Sequence, residues 1–315
     1  MRVSSAAALG LALLLAGAAP PPRDIAARLP DGRTINLWCA GSGSPAILLE
    51  AGWSADSRAW ARVMGPLSQL SRTCAYDRAG AGRSSAGPLP RDGRAIARDL
   101  AHALQSARIA PPYLLVGHSA GGLYIRQFAI DRPREVVGMV LVDSTVPHQP
   151  QRFERVAGPG AGSVKPFIDR ATRCLEAARA GPLDPADPAL EPCRTDPAER
   201  AAERWEARLS EIETLFGPTS DAIETAPTAP ADAPVILLTA GRSYPEGAAR
   251  DFWHGLHREI AARFLNGEAR LVEASGHMMM FDAPEAIVEA VGDVLRRSRE
   301  TAGRARGGCS HGAAA

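Results

Sequence analysis

One short motif in this sequence has the residue types and the spacing needed for nucleophilic catalysis. The pentapeptide Gly117-His118-Ser119-Ala120-Gly121 is a Gly-x-Ser-x-Gly pattern centred on Ser119. It follows the apolar run Tyr113–Val116 and precedes a helix-like segment, which is the strand–turn–helix context of a nucleophile elbow. The flanking glycines suit a tight turn, and the serine would project at the carboxyl end of its strand. We interpret Ser119 as a nucleophile and His118 as a residue that packs.

A serine hydroxyl is a poor nucleophile at neutral pH, so this motif needs a general base. His277 is the candidate, because it follows the strand-like segment Arg270–Ala274 after a short turn near the end of the chain. An imidazole there could take the serine proton and return it to the leaving group. The sequence contains no Cys-x-x-Cys pattern and no zinc-like spacing, and we expect neither a metal nor a cofactor.

The elements that would position these residues alternate between short apolar runs and helix-like segments. The turn at residues 30–33 predicts a hairpin of Ile25–Leu29 and Thr34–Cys39. Further strands are predicted at Ala46–Glu50, Thr73–Asp77, Tyr113–Gly117, Val136–Val142, Val235–Thr239 and Arg270–Ala274. Helices are predicted at Arg58–Leu70, Arg94–Ile109, Gly121–Asp131, Arg250–Phe264 and Pro284–Arg297. This alternation predicts an α/β protein with a mostly parallel sheet covered by helices on both faces.

A long insertion interrupts the alternation between residues 144 and 233. It is too long for a plain loop, and it holds two helix-like segments near Lys165–Ala180 and Glu199–Phe216. The apolar residues of the second segment recur at helical spacing, which disfavours the alternative of a disordered insertion. We therefore predict a core of residues 24–144 and 231–298, a helical cap at 145–230 and a flexible tail at 299–315.

Composition and the N-terminus indicate an exported globular protein. The chain has 315 residues, 45% of them hydrophobic, and a formal net charge of +1. Such a balance gives no support for a nucleic-acid or membrane-surface partner. The N-terminus predicts a signal peptide at residues 1–19, from Arg2, the apolar run Ala6–Leu15 and the small residues that follow. We expect it to be cleaved on export, which would leave a periplasmic or secreted protein. The run is shorter than the roughly 20 residues of a membrane span, so no stable membrane insertion is expected.

From about Ile25 to Arg297 the sequence resembles the α/β-hydrolase superfamily. Besides the elbow, the resemblance rests on Asp77-Arg78-Ala79-Gly80-Ala81-Gly82-Arg83-Ser84 and on Ser275-Gly276-His277. It implies an α/β-hydrolase fold with an eight-stranded sheet in the order 1-2-4-3-5-6-7-8, a catalytic histidine at 277, and the cap as a variable insertion. The loop at 77–84 contains no lysine, and we interpret it as a structural turn at the rim of the site, not as a phosphate-binding loop.

The acid that orients the histidine is where the sequence departs from the family pattern. Its usual position, just after the seventh strand, corresponds to residues 239–244, which contain no carboxylate. The nearest are Glu246 and Asp251. Asp143 ends the sixth strand, a position used by a minority of the superfamily, and is the preferred candidate for orienting His277. All three carboxylates stay open, as does a site without an acid.

The resemblance also implies an oxyanion hole made of two backbone N–H groups. One belongs to Ala120, directly after the nucleophile. The other is assigned to Trp53, because Ala51-Gly52-Trp53 stands where the family usually has His-Gly-x.

The family's strand order further implies a cysteine pairing. The second and fourth strands are neighbours in that order and carry Cys39 and Cys74, which we expect to form a disulfide, provided that their Cα atoms come within about 7 Å. Cys174 and Cys193 both lie in the cap and could join there. Cys309 would remain free in the tail.

These features predict a serine hydrolase that cleaves a carboxylic ester or related acyl bond of a small molecule through an acyl-enzyme. A serine nucleophile disfavours the epoxide hydrolase and haloalkane dehalogenase branches, which use aspartate. One alternative is a protein that binds a small apolar ligand on this scaffold with weak or absent turnover, since the usual acid position is empty. Another is a cofactor-free haloperoxidase-like enzyme.

Overall fold

The computed structural model describes residues 21–181, residue 193 and residues 201–308. The predicted signal peptide at 1–19 and the predicted free thiol of Cys309 lie outside the described residues.

Within the described residues, eight strands form one sheet in the order β1-β2-β4-β3-β5-β6-β7-β8. The strands are β1 Arg23–Arg28, β2 Thr34–Ala40, β3 Ala46–Glu50, β4 Thr73–Tyr76, β5 Tyr113–His118, β6 Val136–Val142, β7 Pro234–Ala240 and β8 Asn266–Val272. Strand β2 is antiparallel to both of its neighbours, β1 and β4. The remaining pairs, which join β4, β3, β5, β6, β7 and β8 in that order, are parallel. The predicted strand order and the mostly parallel sheet are therefore confirmed.

Helices cover both faces of the sheet, and a group of helices inserted after β6 forms the cap. The helices of the core are α1 Ala61–Leu70, α2 Gly93–Ser106, α3 Ala120–Asp131, α8 Ala248–Ala261, α9 Met279–Asp282 and α10 Pro284–Gly308. A 3-10 turn, Ser57–Trp60, precedes α1. The cap helices are α4 Gln149–Ala157, α5 Lys165–Ala180, α6 Ala202–Thr214 and α7 Ser220–Thr225, with the irregular turn Leu215–Thr219 between the last two.

The sequence of β5 shows why both faces are covered. Leu114 and Val116 pack into the apolar layer formed with α1 and α10, while Tyr113 and Leu115 pack into the layer formed with α2, α3 and α8. Successive residues of a strand point to opposite faces, so a strand with no polar face must be buried on both. Each aliphatic side chain buried in this way contributes about 1.5–3 kcal/mol relative to exposure.

Several element bounds differ from the predictions. Strand β8 begins at Asn266, not at the predicted Arg270. It is a partly exposed edge strand in which Glu268 and Arg270 pair with each other, so its first half has little apolar pattern from which to predict a strand. Helix α4 buries only Phe153, and α7 has only six residues, so neither produces a clear helical pattern. The predicted end of the last helix at Arg297 is wrong, since α10 continues to Gly308 through the start of the predicted flexible tail.

Two disulfides join cysteines in the pairings anticipated from the sequence. Cys39 and Cys74 face each other across the β2–β4 pair, with Cα atoms 4.1 Å apart. Cys174 of α5 is joined to Cys193, with Cα atoms 5.4 Å apart. In the part of the chain described here, no helix is both long and apolar enough to cross a membrane.

Candidate active site

Ser119 lies in the sharp turn between β5 and α3. Its backbone has φ 52° and ψ −125°, in the positive-φ region that costs energy for a residue with a Cβ. Three backbone hydrogen bonds hold the turn: Ser119 N donates to Val142 O (3.1 Å), and the N–H groups of Gly122 and Thr145 donate to Ser119 O (both 3.0 Å). The strained conformation is therefore fixed from both sides.

The two glycines of the pentapeptide are required by close packing of backbones. A Cβ on Gly117 would lie 2.6 Å from Gly121 O, and one on Gly121 would lie 2.5 Å from Glu50 O. Neither neighbour can move without shifting main chain. Any larger residue at 117 or 121 would push α3 away from the sheet.

His277 is hydrogen-bonded to the carboxylate of Asp143, with 2.7 Å between Nδ1 and Oδ2. Asp143 directly follows β6 with φ 37° and its side chain is 1% exposed, while the side chain of His277 is 49% exposed. An ionised carboxylate can only accept, so Nδ1 is the donor and Nε2 keeps a lone pair. The lone pair is the feature that a general base needs.

Asp143 accepts four hydrogen bonds, two on each oxygen. Oδ1 accepts from Ala240 N (3.0 Å) and Trp253 Nε1 (2.8 Å), and Oδ2 accepts from Ser243 Oγ (2.5 Å) as well as from His277. Burial alone would raise the pKa of Asp143, but the hydrogen bonds from His277 and Ser243 and the charges of His277 and His257 together hold that pKa below its usual value. The carboxylate is thus kept ionised and fixed in orientation.

The other two candidate acids are placed elsewhere. The side chains of Glu246 and Asp251 are 89% and 73% exposed, and they lie 3.7 and 3.8 Å from the guanidinium of Arg250. The described structure therefore brings only Asp143, of the three carboxylates left open by the sequence, to the histidine.

His118 lies behind His277 and is almost completely buried. Its ring centre is 4.6 Å from that of His277, and its Nε2–H donates to His277 O at 2.8 Å. Burial and the nearby charge of His277 lower the pKa of His118 to about 4. A neutral His118 holds the backbone of the histidine loop, in agreement with its interpretation as a packing residue.

The loop at residues 51–53 lies against Ser119, where the oxyanion hole is expected. A Cβ on Gly52 would lie 3.2 Å from Ser119 Cβ. Ala120 is the first residue of α3, and a helix has no internal partner for the N–H of that position. The side chain of Trp53 donates from Nε1 to Arg208 O of the cap at 2.8 Å. The loop is thereby tied to both the elbow and the cap.

A buried ion cluster beneath this loop was not anticipated from the sequence. Arg78 donates to Ala51 O and Gly52 O (both 2.8 Å), and it is paired with Glu50 at the end of β3 (2.7 Å) and with Glu211 of α6 (2.9 Å). All three charged side chains are almost fully buried. Burial raises the pKa of Glu50 to about 7, against the lowering effect of Arg78.

The loop at 77–84 is therefore more than a turn at the rim, since its Arg78 supports the oxyanion loop and the cap together. The sequence feature that could have indicated the buried ion cluster is Glu50, a charged residue at the end of an otherwise apolar run.

A cavity of about 460 Å³ opens over the site and contains Ser119, His277, Trp53 and Ala120 in its wall. The cap contributes Val164, Phe167, Arg170, Ile212, Leu215 and Phe216. Met278 lines the cavity, whereas Met279 and Met280 are buried in the core. Among the described residues, no hydrogen bond joins Ser119 to His277; such contacts often tighten only when substrate binds.

The sequence of this chain matches one family model over residues 46–290, that of the alpha/beta hydrolase family. This chain belongs to the α/β-hydrolase family.

Two curated proteins resemble part of this α/β-hydrolase. The protein YqjL of Bacillus subtilis (strain 168), named as uncharacterized, is 33% identical over 103 residues, or 33% of this chain and 41% of that protein. The "Putative carbamate hydrolase RutD" of Klebsiella pneumoniae (strain 342) is 38% identical over 103 residues, or 32% of this chain and 38% of that protein. In both cases the chain spans less than half of the relative's length.

A solved structure resembles the α/β-hydrolase over most of its length. It is described as a "putative epoxide hydrolase from Pseudomonas aeruginosa", is 19% identical with a TM-score of 0.64, and covers 89% of this chain and 96% of that one. At this identity the likeness concerns the fold alone.

The structure of this α/β-hydrolase brings together the residues that the sequence singled out: Ser119, His277, Asp143 and the loop with Trp53 line one cavity. Sequence reasoning missed the groups that hold the acid, Ser243 and Trp253. Ser243 follows β7 closely and Trp253 lies in α8. In this part of the chain the family pattern led us to look for carboxylates and not for hydrogen-bond donors.

Proposed function

We propose that this protein is a serine hydrolase that cleaves a carboxylic ester or a related acyl bond through an acyl-enzyme. The observation that carries the proposal is the 2.7 Å hydrogen bond between His277 and the buried carboxylate of Asp143, in the cavity that also contains Ser119. A carboxylate in this position fixes the imidazole tautomer and stabilises the imidazolium that forms during the reaction.

The first half of the reaction forms the acyl-enzyme. Ser119 Oγ attacks the carbonyl carbon while His277 Nε2 takes the hydroxyl proton, and the carbonyl electron pair moves onto the oxygen. In this proposal the N–H groups of Trp53 and Ala120 stabilise the developing negative charge. The bond to the leaving oxygen then breaks, and His277 returns its proton to that oxygen.

The second half uses water in place of the serine. His277 takes a proton from the water as its oxygen attacks the acyl carbon, and the bond to Ser119 Oγ breaks with return of the proton. The acid leaves and the enzyme is restored.

Two further points favour acyl-bond hydrolysis. One curated relative is named for carbamate hydrolysis, which breaks an acyl bond. The non-catalytic alternative rests on the missing carboxylate after β7, and Asp143 beside His277 weakens that reason.

Fluorophosphonate labelling followed by peptide mass spectrometry tests this proposal. We expect one adduct, on Ser119, and its loss in Ser119→Ala. Ser163→Ala is the matched control, because Ser163 lines the same cavity and accepts only a long hydrogen bond of 3.3 Å from Lys165 N; it should label like the unmodified chain. A folded protein that stays unlabelled, and does not hydrolyse p-nitrophenyl butyrate, would contradict the proposal in favour of a ligand-binding role.

We also propose that the protein is exported after cleavage of residues 1–19. The expected measurement is N-terminal sequencing of protein recovered from a secreting host, with a mature start near Ala19. Recovery only from the cytoplasm with Met1 or Arg2 at the N-terminus would contradict export.

A further inference from the structure

The charges around the cavity are unevenly distributed. Of the described residues that line it, Arg170 is the only arginine or lysine, and Asp143 is the only carboxylate. Asp143 is engaged by four donors, including His277. The positive charge of Arg170 therefore has no counterpart within the cavity wall.

Arg170 projects from α5 of the cap onto the oxyanion loop. The centre of its guanidinium lies 4.9 Å from the ring centre of Trp53, a cation–π contact. Its Nε is buried without a hydrogen-bond partner, and in the described part of the chain Arg170 forms no ion pair. A guanidinium stacked through its face keeps the N–H groups at its edge available for a planar acceptor.

The surroundings make an unpartnered guanidinium costly. Burial and the nearby positive charge of Arg208 lower the pKa of Arg170. A buried donor such as its Nε is unfavourable without an acceptor, and more so when the group is charged. An anion bound in the cavity would offset both the lowered pKa of Arg170 and its missing acceptor. Arginine can bind a carboxylate through two parallel hydrogen bonds.

We propose that Arg170 binds a carboxylate of the substrate, so that the preferred substrate is an acyl compound that carries a second, free carboxylate. This inference rests on the proposed hydrolase function. Most of the cap wall around it is apolar, with Phe167, Ile212 and Phe216 among its members. The other polar residues of that wall carry no charge: Thr145, Gln149 and Ser163. The site thus fits a short apolar chain that has the scissile carbonyl at one end and the anion at the other.

A matched pair of chromogenic esters tests the proposal by turnover. Mono-p-nitrophenyl glutarate carries a terminal carboxylate, and p-nitrophenyl valerate has the same number of acyl carbons without it. For the unmodified protein we expect kcat/KM to favour the glutarate ester at least ten-fold at low salt, with the preference falling in 1 M NaCl. Equal rates, or a preference for valerate, would overturn the proposal.

Variants then assign the preference to Arg170. Arg170→Met keeps an unbranched stem and removes the charge, so the glutarate/valerate ratio should fall at least ten-fold, mainly through KM for glutarate. Arg170→Lys keeps the charge without the planar fork and should retain part of the ratio. Arg173→Met is the control, because Arg173 lies on the same helix but is exposed and away from the cavity. An unchanged ratio in Arg170→Met would show that Arg170 only stacks on Trp53.

A binding measurement separates failure of this inference from failure of the hydrolase function. Calorimetry with Ser119→Ala compares monoethyl glutarate with ethyl valerate, and needs no turnover. Tighter binding of the glutarate, lost in the Ser119→Ala/Arg170→Met double variant, would support the anion site even if no ester were hydrolysed. No difference between the two ligands would overturn it, whatever the result of fluorophosphonate labelling.

Discussion

Replacing Asp143 with asparagine puts an amide nitrogen in place of one carboxylate oxygen at the centre of the site. Oδ1 accepts from Ala240 N and Trp253 Nε1, and both of these groups can only donate. Oδ2 accepts from Ser243 Oγ and His277 Nδ1, and each of these can also act as an acceptor. The NH₂ group of the asparagine should therefore take the Oδ2 position.

This arrangement reverses the histidine tautomer. With an N–H donor facing Nδ1, the ring proton of His277 moves to Nε2, the nitrogen that must accept the proton of Ser119. The same exchange in a serine protease lowers kcat about 10⁴-fold, which corresponds to about 5.5 kcal/mol of transition-state stabilisation. We expect a loss of about 10³–10⁴ in kcat/KM here, because the side chain of His277 is 49% exposed and water can partly restore the active tautomer.

The assay is kcat/KM for p-nitrophenyl butyrate from pH 6 to 9, with the unfolding temperature measured on the same samples. Glu246→Gln and Asp251→Asn are matched controls, since each also exchanges a carboxylate for an amide but on a side chain that is 89% or 73% exposed. Both should stay within about two-fold of the unmodified protein. The reasoning is refuted if folded Asp143→Asn keeps more than a tenth of the activity, or if either control loses as much as it does.

Three further predictions concern the groups around the site. Ser243→Ala removes one of the four donors on the carboxylate of Asp143 and should lower kcat about ten-fold with little change in KM; an unchanged kcat would contradict the positioning role. Arg78→Met leaves Glu50 and Glu211 buried without their cation, so we expect about 3–5 kcal/mol of destabilisation by urea unfolding, and a loss below 1 kcal/mol would show that the cluster is unimportant. The folded-state pKa of His118, about 4, is below its usual 6.5, so the unfolded state binds more protons between those values. Stability is therefore full above pH 6.5 and falls as the pH is lowered toward 4, by on the order of 3 kcal/mol from this group. Its replacement by glutamine should flatten that part of the profile, and an equally steep profile in the variant would refute the assignment.

The parts of the site that could be predicted are those fixed by local sequence. The elbow is a contiguous motif, so its residues can be recognised without any tertiary knowledge. Its glycines are needed because an added Cβ would come within 2.5–2.6 Å of a carbonyl oxygen. His277 follows the last strand, and its place is set by the strand order. Both depend on positions along the chain that a single sequence reveals.

The sequence favoured Asp143 but left Glu246 and Asp251 open, because the position of the acid depends on which strand end approaches the histidine loop. Strands β6 and β7 are neighbours, and their carboxyl ends open toward the same side of the sheet. Asp143 is selected by donors that come from other segments, among them Ser243 and Trp253. Contacts separated by about a hundred residues leave no periodic signal.

The cap was predicted in outline and not in its contacts. The bounds of α5 were predicted from its pattern, but the charge it places over Trp53 and the pairing of Arg78 with Glu211 depend on how the cap sits on the core. None of these residues stands out in its own segment of the sequence, so nothing in the sequence indicated that they pair.

The buried pairing of Arg78 with Glu211 has a consequence for recombination between relatives. A transplanted cap that lacks a carboxylate at the position of Glu211 would leave Arg78 with Glu50 as its only carboxylate partner, at the point where it also grips the oxyanion loop. Chimeras built by exchanging caps should therefore lose activity through disturbance of the oxyanion loop, independently of substrate fit. A transplanted cap that keeps a carboxylate at position 211 should avoid this loss. In this protein the cap and the oxyanion loop are held by the same buried guanidinium.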